Sequence, residues 1–158
     1  MIELEKAEPQ DCGQIHAMQV EAFAELLEKY HDTATNPGSE SVEKVAARMA
    51  QDTTDYYLIL TAGTPIGAAR VQRLPGDVCR VSPIFILPTF QGKGFAQEAM
   101  QALETLYPQA TTWRLDTIRE ETKLRHLYEK LGYRQTGREE VWQPGMTIVY
   151  YEKVAANK

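Results

Sequence analysis

Ile84 to Met100 reads IFILPTFQGKGFAQEAM, and the rest of the chain is arranged around it. Its first half is apolar and β-prone until Pro88 ends the run. Gln91, Gly92, Lys93, Gly94, Phe95 and Ala96 follow. Phe95, Ala96, Ala99, Met100, Leu103, Leu106 and Tyr107 then recur at three- and four-residue steps, the spacing of one helix face. The stretch therefore reads as strand, glycine turn, helix. The amides of a helix's first turn lack intrahelical partners, and the helix dipole adds partial positive charge there. Gly94 and Ala96 are small enough to let a ligand's oxygens approach, so the turn is suited to a diphosphate.

Two common diphosphate motifs are excluded. A P-loop needs Lys-Ser/Thr after its last glycine, and Phe95 follows Gly94 here. A dinucleotide turn needs a third glycine, and position 97 is Gln. The pattern Q/R-x-x-G-x-G/A is met by Gln91, Gly94 and Ala96, and in this the sequence resembles the GNAT superfamily of N-acetyltransferases. A second segment supports the resemblance: Leu127-Tyr128-Glu129-Lys130-Leu131-Gly132-Tyr133 is similar to the YEKLGF segment frequent in that family.

At 158 residues, the sequence suits one domain, 1–158, with 43% hydrophobic residues. The formal charge of −5 argues against non-specific binding to nucleic acid, which needs a basic face. Cys12 and Cys79 have no metal-type spacing, and free thiols point to a reducing cytoplasm. His16, His31 and His126 are scattered, so no metal is expected. MIELEKAEPQ has no apolar export core and no run reaches transmembrane length, so no membrane partner is expected.

Taken in order, Ile2 to Ala7 alternates as a half-buried strand. Asp11 with Gln14 resembles a capping box, and Ile15, Met18, Ala22, Phe23, Leu26, Leu27 and Tyr30 keep helical spacing. Residues 31–40 have loop chemistry. A second helix begins near Ser39 or Ser41 and places Val42, Val45, Ala46 and Met49 inward. Tyr56–Thr61 and Ile66–Arg73 form a hairpin. Val78–Leu87 is the strand entering the glycine turn, and Pro83 within it predicts a bulge or an unpaired edge. A helix over 92–107 and a parallel strand over 112–117 follow. A helix over 120–131 then stops at Gly132, strands 133–142 and 147–153 close the sheet, and the tail VAANK frays. The order is β-α-α-β-β-β-α-β-α-β-β, an α/β (α+β) mixed sheet flanked by helices, as in the GNAT-like acetyl-CoA-binding fold. Trp113, Trp142, Tyr56, Tyr57, Tyr150 and Tyr151 read as core residues, with Trp142 or Tyr150 as alternatives for an acceptor pocket.

The resemblance implies acetyl-CoA as cosubstrate and an amine on a small molecule or protein as acceptor, with direct transfer in a ternary complex. It places the diphosphate on Gln91, Gly92, Lys93, Gly94, Phe95 and Ala96. It places the pantetheine arm along the backbones of Ile84, Phe85 and Ile86. Tyr128 is the candidate general acid toward the leaving thiolate, because a phenol of reference pKa about 10 stays protonated at neutral pH. Its alternative is a core tyrosine. The family often has Asn where this chain has Glu121, which leaves a helper role there open. An acceptor amine of pKa about 10.4 costs roughly 4–5 kcal/mol to deprotonate at pH 7. The strand VCRVSPIFIL carries no carboxylate to serve as base, which leaves Glu21, Glu25, Glu28, Asp77, Asp116 or a water. Residues 31–40 are the candidate acceptor loop. Subunit pairing is frequent in the family, so a homodimer is the expectation. The alternative in another class is a silent CoA-binding sensor of the same fold.

Overall fold

The computed structural model describes residues 1–155. Its strands are β1 (Glu3–Lys6), β2 (Thr54–Thr61), β3 (Thr64–Leu74), β4 (Val78–Ile86), β5 (Thr112–Ile118), β6 (Arg134–Gln143) and β7 (Met146–Val154). Its α-helices are α1 (Cys12–Tyr30), α2 (Val42–Met49), α3 (Phe95–Leu106) and α4 (Thr122–Lys130). The anticipated element order is the observed one. The strands form one sheet in the order β1-β2-β3-β4-β5-β7-β6. Only β4 and β5 run parallel, because α3 carries the chain back across one face between them.

Each face of the sheet is covered. Val81, Ile86, Trp113, Leu115, Val149 and Tyr151 turn toward α3 and α4, where they meet Met100, Leu103, Tyr128 and Leu131. Tyr56, Leu58, Ala68 and Phe85 turn the other way and meet Ile15, Met18 and Val45 of α1 and α2. A smaller cluster on that second side joins Tyr30 to Met146 and Ile148. Helix α4 ends in a paired motif at Gly132. The Gly132 amide donates to the Glu129 carbonyl at 3.1 Å and the Tyr133 amide to the Tyr128 carbonyl at 3.0 Å. That lock fixes how Tyr128 enters the core.

Several local expectations are corrected. Asp11 does not cap α1 through its side chain. Its carboxylate accepts from the Glu8 amide at 2.8 Å, closing a box around a 3₁₀ turn at Pro9–Asp11. Similar turns at Pro37–Ser39 and Pro88–Phe90 each begin with proline, whose fixed φ and missing N–H suit a first helical position. Val42, Ala46 and Leu106 face solvent. In α2 and α3 the apolar period runs on past the area the sheet offers. Trp142 is 43% exposed on the outer strand β6 rather than in the core. Within the VAANK tail, Val154 belongs to β7, and the Ala155 amide donates to the Thr111 carbonyl at 3.0 Å. Residues 156–158 lie outside the described residues. Among the described residues no helix is long and apolar enough to cross a membrane.

Candidate active site

The sheet opens beside the glycine turn. β4 and β5 pair only through Val78–Thr112, Cys79–Trp113 and Arg80–Arg114. Beyond Arg80 the two strands part, although β4 continues to Ile86 and β5 to Ile118. The cause lies in β4. Ser82 and Pro83 together stand opposite the single residue Arg70 of β3, so the register slips and β4 bends. The anticipated bulge is therefore present, in a central strand rather than an edge. The Leu87 amide donates to the Ile66 carbonyl of β3 at 2.7 Å. Alternation then turns the backbone of Phe85 toward β3 and those of Ile84 and Ile86 into the gap. Phe85 thus differs from the other two candidates, and its ring packs edge-on against Phe23. β3 lies against this segment so closely that a Cβ at Gly67 would stand 2.0 Å from the Phe85 carbonyl oxygen.

At the mouth of the gap the chain turns into α3. Gly94 is the N-cap with φ +82°, a left-handed backbone that glycine adopts without a Cβ clash. Among the described residues, the amides of Gly92, Lys93, Gly94, Phe95, Ala96 and Gln97 donate to no backbone carbonyl, and Glu98 makes the first helical bond, to Gly94. Added Cβ atoms at Gly92 and Gly94 would meet nothing within 4 Å, so the approach to these amides is open. Free amides, local positive potential and an unobstructed approach fit a diphosphate, and the strand gap behind fits a narrow polar arm. Gln91 takes a positioning role: its Nε2 donates to the Ile86 carbonyl at 2.8 Å, tying the turn to the end of β4. Lys93 is exposed, with its ammonium 5.9 Å from the centroid of the Phe90 ring.

Tyr128 enters from α4. It is only 7% exposed and packs against Tyr133 and Tyr151, with ring centroids 6.3 and 6.4 Å away. Its hydroxyl has no protein partner among the described residues, yet it is not among the side-chain atoms sealed from solvent. Burial, and then the charge of Asp116, push it up to about 12. It therefore holds its proton throughout the neutral range. Asp116 lies on β5 just past the last pair with β4, and its carboxylate accepts from Arg80 at 2.9 Å. Of the carboxylates considered as bases, Asp116 is the one near Tyr128 at the gap. Glu21, Glu25 and Glu28 lie on the exposed face of α1, and Asp77 in the exposed turn before β4.

Glu121 stands at the start of α4 with two partners from α1. Its Oε2 accepts from Lys29 at 2.6 Å and from the Tyr30 hydroxyl at 2.5 Å, clamping the start of α4 to the end of α1. Burial opposes its charge, but these two bonds outweigh it and hold the carboxyl below its usual range. The 31–40 loop is anchored rather than loose. Gln19 donates to the Pro37 carbonyl at 2.7 Å, and His16 bonds the Glu40 carbonyl at 2.8 Å.

Sequence reasoning missed a polar group on the same side of the sheet as α1 and α2. Arg70, opposite the bulge, is 7% exposed, and its Nε donates to the Ser82 carbonyl at 2.5 Å. Beside it lie Tyr56, Arg48, Glu40 and Arg80. The available signal was an arginine inside the apolar run IGAARV, a charge with no obvious reason to be buried.

Comparison with known proteins agrees with this geometry. Residues 16–155 match the model of the acetyltransferase (GNAT) domain. No curated protein sequence matches the chain. Among solved structures it is similar to the ribosomal-protein-S18-alanine N-acetyltransferase from Escherichia coli, at 15% identity and TM-score 0.78, covering 100% of this chain and 99% of that one. It is also similar to a spermidine N-acetyltransferase from Vibrio cholerae, at 20% identity and TM-score 0.72, with 96% and 94% covered. A third similar structure is an aminoglycoside acetyltransferase in complex with coenzyme A, at 18% identity and TM-score 0.72, with 98% and 95% covered. At these identities the structures speak for the fold alone, and the domain match supplies the rest. The domain match spans most of the strands and helices that form this gap and turn, and the chain belongs to the GNAT family of N-acetyltransferases.

Proposed function

We propose that this chain, acting as one domain, transfers an acetyl group from acetyl-CoA to an amine by direct attack within a ternary complex. The observation that carries the reading is the gap between β4 and β5 with unpaired amides at its mouth. The amides of residues 92–96 bind the diphosphate, and the backbones of Ile84 and Ile86 hold the pantetheine arm. Acetyl-CoA, when bound, supplies the activated acetyl group and departs as the thiol. Tyr128 gives its proton to the leaving sulfur, and a phenol held protonated to about pH 12 suits that task. The incoming amine gives up its proton to Asp116 or to a water beside it. The amides of Ile84 or Ile86 face the reacting carbonyl oxygen.

Neither cysteine serves as a covalent carrier in this scheme. Both are buried, and burial is the first cause that raises each thiol above its usual range, disfavouring the thiolate. Free thiols suit a reducing cytoplasm. The similar structures include enzymes acting on a ribosomal protein's alanine, on spermidine and on an aminoglycoside, which supports an amine acceptor in general.

A thermal-shift titration with acetyl-CoA, CoA, ATP and NADH tests the reading. A ligand at a hundred times its Kd adds about 2.7 kcal/mol, worth roughly 2–4 °C per kcal/mol at this size. A rise of several degrees with acetyl-CoA and CoA alone is expected. An equal response to ATP, or none to CoA, would falsify the assignment.

A further inference from the structure

We propose that the acceptor amine carries a carboxylate, and that Arg70 receives it on the α1/α2 side of the bulge. The inference deepens the acetyltransferase reading and rests on it. Three guanidiniums stand in this region and two carboxylates face them. Arg48 is matched by Glu40 at 2.7 Å and Arg80 by Asp116 at 2.9 Å. Arg70 has no carboxylate partner among the described residues. Its one bond, from Nε to the Ser82 carbonyl, leaves both Nη groups without a protein acceptor, and those groups are not sealed from solvent.

A buried charge without a counter-ion is costly, and a fold keeps one only where something offsets the cost. Burial, and then the repelling charge of Arg48, pull Arg70 below its usual range. Tyr56, opposite Arg70 on β2, is 3% exposed, and its hydroxyl is sealed from solvent beside Arg70 and Arg48, so it backs the guanidinium rather than facing a ligand. The guanidinium fork itself is a matched pair of donors for one carboxylate, because charge-assisted bonds to arginine are strong and planar.

The position fits an acceptor rather than the donor. Arg70 faces the two extra residues, Ser82 and Pro83, that bend β4 away from β5. Arg80, the last β4 residue paired to β5, lies between Arg70 and Asp116, and Asp116 in turn lies near Tyr128. A carboxylate on Arg70 therefore holds the rest of the acceptor beside the gap. The same unmatched cation repels a polyamine or an aminoglycoside.

The test compares matched acceptors with the intact protein. Alanine, glutamate, lysine and phenylalanine are each assayed against their α-carboxamide and their decarboxylated amine, with spermidine alongside, following thiol release from acetyl-CoA. Carboxamides have the less basic and more readily deprotonated amine, which biases the comparison against the proposal. At least one free acid is expected to exceed its carboxamide about tenfold or more in kcat/KM. Arg70→Gln should level that ratio while acetyl-CoA binding stays within twofold. Arg70→Lys, which keeps the charge and loses the planar fork, should reduce it severalfold, and serves if Arg70→Gln does not fold. Carboxamides or spermidine at or above the acids throughout, or no acid acetylated while acetyl-CoA binds, overturns the proposal. Failure of acetyl-CoA itself to bind overturns the acetyltransferase reading first.

Discussion

At the scale of single residues, Tyr128 and Gly67 show two kinds of dependence. Tyr128→Phe keeps the ring and its packing and removes only the hydroxyl. We expect kcat to fall about a hundredfold or more, with the Kd for acetyl-CoA within twofold, measured by steady-state kinetics and calorimetry. Unchanged kcat would remove Tyr128 from the chemistry. Gly67→Ala touches no reacting group, yet its Cβ would stand 2.0 Å from the Phe85 carbonyl oxygen, so β3 and β4 must separate. A loss of about 1–3 kcal/mol in urea unfolding is expected, together with weaker CoA binding as the bulge shifts. Tyr128 was legible in the sequence because its neighbours form a recognisable segment. Arg70 was not, because its meaning depends on the bulge across the strand from it. The partners of Glu121 were hidden for a related reason, since Lys29 and Tyr30 lie more than ninety residues away in the chain.

At the scale of elements, β2, β3 and the end of α3 are joined by a buried chain of bonds. The Tyr57 and Tyr107 hydroxyls lie 2.8 Å apart, Tyr107 donates to Asp55 at 2.6 Å, and Asp55 accepts from Arg73 at 3.1 Å. Burial opposes the charge on Asp55, but Tyr107 and Arg73 outweigh it and hold the carboxyl below its usual range. Asp55→Ala strands Tyr107 and Tyr57 together, so a loss of about 2–4 kcal/mol is expected by urea titration. A loss under 0.5 kcal/mol would show that the tyrosines repartner. The kind and order of the elements could be read from periodicity and turn residues, since those signals are local. The sheet order, with β7 between β5 and β6, could not be, because strand pairing leaves no local mark. The 3₁₀ turns escaped because proline reads as a break whether or not a turn of helix follows it.

At the scale of the whole molecule, buried phenols set the alkaline limit. Burial is the first cause that raises Tyr107, Tyr128 and Tyr133, with Tyr128 at about 12 and the other two higher still. The unfolded chain releases these protons near pH 10 while the folded chain keeps them. The folded state then binds more protons, and stability falls as pH rises. The loss is about 1.4 kcal/mol per pH unit for each such tyrosine between about pH 10 and 12, on top of a plateau below 10. Urea midpoints from pH 8 to 11.5 check this, and a flat profile would refute it. The short ladder between β4 and β5 has a mechanical meaning. Among the described residues, the strand ladder that joins β1–β4 to β5–β7 is three residue pairs long, with the Arg80–Asp116 bond beside it, and β1 and β7, near the two chain ends, lie on opposite sides of that seam. Tension applied at the ends is therefore borne by the seam and by the helices packed across it. A molecule lodged between the parted strands would act as a rivet, and single-molecule stretching should show a higher rupture force with CoA present.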